Sequence, residues 1–77
     1  MRFNVWMKKT YLNDNSFKGK LARDIKADKH FPSHRRGKTL RRYLINEGAS
    51  QNIVEAFDEC WEEFREYERK GHRTGTA

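Results

Sequence analysis

Arg35, Arg36, Lys38, Arg41 and Arg42 crowd into the eight residues RRGKTLRR. Guanidinium and ammonium groups at this density are chemistry for anions. Phosphate attracts such clusters, and arginine binds a phosphate or a guanine edge with two parallel N–H donors. On a helical wheel Lys38, Arg41 and Arg42 stand opposite Leu40, Tyr43 and Leu44, so the basic side turns away from the apolar stripe. Lys26 and Lys29, on the outer side of the preceding segment, would extend the patch. Ile45 falls among the basic residues rather than on the inner stripe. The expected partner is the backbone of DNA or RNA. The plainer alternative is a solvated face that keeps a small domain in solution.

A second charged face has the opposite sign. Glu55, Glu59, Glu62, Glu63 and Glu66, with Asp58, share the side of the last segment opposite its apolar stripe. Those carboxylates could meet the basic region of another copy, a head-to-tail contact that propagates unless it closes. The rival expectation to nucleic acid is therefore protein–protein interaction, between an acidic protein surface and the basic region, in a monomer or a weakly self-associating chain. The simpler alternative is again a solvated helix face with local ion pairs.

Other reactive residue types lack the company that chemistry needs. Asp24 and Asp28 lie four apart, but no nucleophile, base or glycine-rich loop accompanies them. The expectation is that one caps a helix start and the other pairs with a lysine. His30 and His34 are separated by Pro32 and so share no helical face. With His72 they complete no ligand set. Cys60, the single cysteine, can form no internal disulfide and sits on an apolar stripe as an inert thiol. No catalytic residue, metal site or cofactor is expected, and the chain reads as a non-enzymatic binding module.

The elements that must position these charges are helical. Four segments carry a 3.6-residue period and none alternates like a strand. The first runs from about Arg2 to Leu12, with Phe3, Trp6, Met7, Thr10 and Tyr11 on one side. The turn cluster NDNS follows and supplies cap oxygens. The second runs from Phe17 to about Lys29, with Leu21, Ala22 and Ile25 inward, Phe17 at the edge, and Lys20, Arg23 and Lys26 outward. Phe31-Pro32 ends it, because the residue before proline avoids helical geometry. The third spans about Lys38 to Glu47, and Gly48 suits the left-handed position after it. Ser50 caps the fourth, from Gln51 to about Lys70, where Ile53, Phe57, Cys60, Trp61, Phe64 and Tyr67 share a face. A domain this small needs large aromatics at its centre, and Phe3, Trp6, Phe17, Phe31, Tyr43, Phe57, Trp61 and Phe64 are the candidates. One domain is expected over residues 1–70, with a disordered polar tail over 71–77.

Charge is distributed unevenly along the chain. The net value is +6, yet thirteen basic residues face three acidic ones up to Arg42, and four face eight from Tyr43 on. No apolar run is long enough for a signal peptide or a membrane span, so no membrane partner and a cytoplasmic location are expected.

Several stretches together are familiar. RFNVW opens the chain, LARDIKADKHFP leads into the proline, and YL and AFDECWEEF follow. In these the chain resembles the YozE-like family of small bacterial proteins with a sterile-alpha-motif-like fold. The matching positions are Phe3, Trp6, Ala22, Asp28, Phe31, Pro32, Tyr43, Leu44, Ala56, Phe57, Asp58, Glu59 and Trp61. The resemblance implies an all-α, compact SAM-like bundle of four to five short helices with a longer C-terminal helix. It implies no activity, and the run from Arg35 to Lys38 is not part of the shared pattern.

Overall fold

The computed structural model describes the backbone of residues 1–33 and 36–76, with side chains as far as Lys70. Four helices follow one another: α1 (Phe3–Tyr11), α2 (Phe17–Ala27), α3 (Gly37–Asn46) and α4 (Gln51–Thr76). Among the described residues there is no strand, and no helix is long and apolar enough to cross a membrane.

Each boundary has a local cause. Ser16 begins α2 by accepting the Lys18 amide on its hydroxyl at 3.2 Å. Asp28 ends it two residues before the expected point. Its carboxylate takes the His30 amide at 2.9 Å, so the chain turns at once and Lys29 lies in the turn rather than on the helix. α3 ends in a Schellman arrangement: the Gly48 amide bonds the Ile45 carbonyl and the Ala49 amide bonds the Leu44 carbonyl, each at 3.0 Å. Gly48 carries φ +84°, a conformation that costs other residues about 1 kcal/mol or more. Ser50 then caps α4 through the Ile53 amide. The helical backbone continues past Lys70 to Thr76. The side chains of the polar tail, 71–77, lie outside the described residues.

α4 is the beam against which α1, α2 and α3 all pack; α1 also packs on α2. Phe3 is the hub of the core. Its ring centroid lies 5.3 Å from those of Phe57 and Trp61, 5.5 Å from Phe64 and 6.1 Å from Trp6. Such edge and tilted pairs add roughly 0.5–1.5 kcal/mol each beyond the burial of their area. Met7, Leu21, Ala22, Ile25, Leu40, Leu44, Ile53 and Cys60 complete the centre. Phe31, Tyr11 and Trp61 pack against it half-buried. One expected core member, Phe17, and one residue of the apolar face of α4, Tyr67, stand outside. Phe17, at the first position of α2 and on the edge of its stripe, is 50% exposed, and Tyr67 covers Trp6 from the solvent side. Val54 and Ala56 are buried instead, which widens the inner face of α4 beyond its aromatic stripe.

The backbones of α2 and α3 stand apart, with no Cα atom of one within 8 Å of a Cα atom of the other. The space between them is spanned by Tyr43, whose ring meets Phe31 edge-on at 5.6 Å and whose hydroxyl donates to Asp28 at 2.6 Å. The connector before α3 is tied to α1, where Arg2 donates to the Ser33 carbonyl at 2.8 Å.

Candidate nucleic-acid interface

α3 presents its basic face because Leu40 and Leu44 pin the opposite side into the core. One turn apart on the outward side are Lys38 and Arg42, both exposed, with Ile45 beside them at 49% exposure. Neither cation forms an ion pair among the described residues. Arg41 points toward α4 instead and grips Asp58 with Nε at 3.0 Å and Nη2 at 3.4 Å. Both partners are about half exposed, so the pair contributes little to stability but holds the guanidinium in place. Arg36 is the residue before the helix, extended and exposed. Arg35 lies outside the described residues, as does His34. Lys26 and Lys29 are exposed on and just after α2, whose backbone stands apart from that of α3.

The start of α3 breaks a local rule. No side chain caps it, no acidic residue lies in its first turn, and Arg36 and Lys38 stand there. Helix starts carry partial positive charge and favour anions.

The gap between the start of α3 and α4 is an open groove of about 600 Å³. Trp61 lies in it, close against Gly37, where an added Cβ would come within 2.7 Å of the indole. Arg65 of α4 forms part of the same wall. Its only signal in the sequence is that it stands four residues after Trp61, one turn along the same helix.

The acidic side of α4 is largely occupied within the chain. Glu63 turns toward α2 and accepts Lys18 Nζ at 2.6 Å, together with the Tyr11 hydroxyl. Glu59 lies 3.4 Å from the same ammonium. Asp58 holds Arg41, Glu66 pairs with Arg69, and Glu55 accepts from Gln51. Glu62 stays exposed beside Arg65 and Arg69. Arg23, expected to point away, closes the end of α1 by donating to the carbonyls of Leu12 and Asp14.

The remaining candidates settle into structural places. Asp24 pairs with Lys20 at 3.4 Å. Asp28 caps no neighbouring helix; it holds its own turn and Tyr43. Cys60 is fully buried, and desolvation pushes its thiol pKa up to about 12. Among the described residues no three His, Cys, Asp or Glu side chains gather as a metal site.

A family model described as YozE SAM-like fold matches residues 2–66, the span that holds all three shorter helices and most of α4. The chain belongs to the YozE-like family. No curated protein and no solved structure matches it. The YozE-like assignment agrees with the four helices and the absence of strands among the described residues, and its description names a fold rather than an activity.

Proposed function

We propose that this YozE-like chain is a non-enzymatic module that binds the phosphate backbone of DNA or RNA through the outer face of α3. The observation that carries the reading is the pair Lys38 and Arg42, exposed and without a carboxylate partner among the described residues, beside a helix start that holds basic residues and no acid. Local rules broken in this way belong at sites that meet a partner. Arg36 and Arg41 flank the pair, and Arg35 stands next to it in sequence. A cytoplasmic place of action fits the single unpaired cysteine.

Self-association through the acidic side of α4 has less support, because Asp58, Glu59, Glu63 and Glu66 already meet cations of their own chain.

The test is a titration with duplex DNA, single-stranded DNA and RNA at several salt concentrations. Counterion release predicts log affinity falling linearly with log salt, by about 0.9 per duplex phosphate neutralised. Lys38→Glu with Arg42→Glu should abolish binding and leave the helical signal intact. Those two positions are cleaner than Arg41, whose reversal would also set a like charge against Asp58. Absence of binding at low salt to all three nucleic acids overturns the proposal. Sedimentation at rising concentration tests the alternative, which a strict monomer rejects.

A further inference from the structure

The groove between the start of α3 and α4 combines four cationic side chains with apolar surface. Arg36, Lys38 and Arg41 stand on one side and Arg65 on the other, with Trp61 between them. Only Asp58 and Glu68 supply carboxylates there, and Asp58 is already taken by Arg41. A guanidinium has five N–H donors. Asp58 accepts from two of its nitrogens, so Arg41 keeps donors to spare while its position is held. Arg65 forms no ion pair among the described residues, and the Trp61 indole N–H has no acceptor there. Gly37 lets the indole pack directly against the start of α3, since any side chain at that position would run into Trp61.

We infer that this groove seats one backbone phosphate of the bound nucleic acid, with Arg65 and the Trp61 indole N–H as its α4 wall. The interface then spans two helices. This rests on the nucleic-acid reading above and assigns it two residues of α4 that the face of α3 alone does not include. A phosphodiester suits the groove better than a lone carboxylate does. Both are acceptor-only, but the phosphodiester repeats along a chain. One strand could thus occupy the groove and continue over Lys38 and Arg42.

The chain has two tryptophans, so a 15N-labelled sample gives two indole N–H signals. Trp6 is buried against Phe3 and Phe64 and serves as the internal control. Titration with a short single-stranded and a short duplex oligonucleotide at low salt should move the Trp61 signal and leave that of Trp6 in place. Arg65→Gln should flatten the slope of log affinity against log salt by about one, as expected for losing one phosphate contact. Arg65→Lys should keep most of that slope. Arg65 is exposed on α4, so an unchanged Trp6 signal checks the fold of both variants. If oligonucleotides bind, Lys38→Glu with Arg42→Glu abolishes binding, and yet Trp61 stays still and Arg65→Gln keeps the wild-type slope, the groove assignment is wrong and the α3 reading stands. If no oligonucleotide binds at low salt, both are wrong. If a glutamate-rich peptide of matched charge moves Trp61 as far as the oligonucleotide does, the phosphate assignment is overturned.

Discussion

Lys18 Nζ lies 2.6 Å from Glu63 Oε2 and joins the first turn of α2 to the middle of α4. Glu59 approaches the same ammonium at 3.4 Å, and the Tyr11 ring lies 5.5 Å from it. One lysine thus ties three helices together at the edge of the core, and a glutamate that a helical wheel assigns to the outer face becomes an internal strut.

That strut is measurable. Lys18→Met and Glu63→Gln should each destabilise the chain, and a double-mutant cycle in urea should return a coupling of about 1 kcal/mol. The pair is only partly buried, which keeps the value well below that of a desolvated ion pair. Glu62→Gln, one position away and exposed, should change stability by less than about 0.5 kcal/mol.

Acid should weaken the fold. At Glu63, burial pulls the pKa up, but hydrogen bonds from Lys18 and Tyr11 and the charge of Lys18 outweigh it and leave the carboxyl below its ordinary 4.5. Hydrogen bonds from Ser16 depress Asp14, and those from Tyr43 and His30 depress Asp28, below the ordinary 3.8. A pKa lower in the folded than in the unfolded chain means stability present above the unfolded value and lost as pH falls through the folded one. Urea midpoints should therefore decline from about pH 4.5 downward, and less steeply in Glu63→Gln.

The alkaline side has the opposite sign. Hydrogen bonding to Glu63 pushes Tyr11 up to about 12, and hydrogen bonding to Asp28 does the same for Tyr43. Their contribution is complete below the ordinary value of 10.0 and is lost as pH rises toward 12. Tyrosinate absorbance should show Tyr11 and Tyr43 titrating later in the folded chain than in urea.

Gly37→Ala should loosen the contact between α3 and α4. The new methyl would lie 2.7 Å from a tryptophan ring held by Phe3 and Phe57, which cannot move aside cheaply. A loss of roughly 1–3 kcal/mol is expected, together with a shift in Trp61 fluorescence. Gly48→Ala meets no atom within 4 Å, and its smaller cost, about 1 kcal/mol, is that of a positive φ alone.

Cys60 should resist alkylation in the native chain and react once urea unfolds it, because its thiol is fully buried with a pKa raised to about 12. Cys60→Ser would bury a hydroxyl in that place at a cost of roughly 1–3 kcal/mol.

Much of the architecture is written in local patterns. Ser16 and Ser50 cap where their positions predict, Gly48 takes the left-handed conformation, and Phe3, Trp6, Leu21, Ile25, Leu40, Leu44, Phe57 and Phe64 are buried as their periodicity requires. The errors are of two kinds. Phe17 and the end of α2 depend on what happens one turn beyond a periodic run, where periodicity no longer speaks. Lys18, Arg23 and Glu63 look like surface charges on a wheel and make their hydrogen bonds to other elements.

The candidate site divides along the same line. From the sequence alone come the helices, their inner faces, the family and the concentration of basic residues from Arg35 to Arg42, because each is set within a few residues of chain. Only the packed molecule decides which charges remain available. Arg41 is spent on Asp58 and Glu63 on Lys18, whereas Lys38, Arg42 and Arg65 meet no carboxylate among the described residues. The physical reason is reach. A helical period places a side chain on a face of its own helix, but the partner of a long charged side chain depends on how neighbouring helices cross, and that is fixed only when the core closes around Phe3.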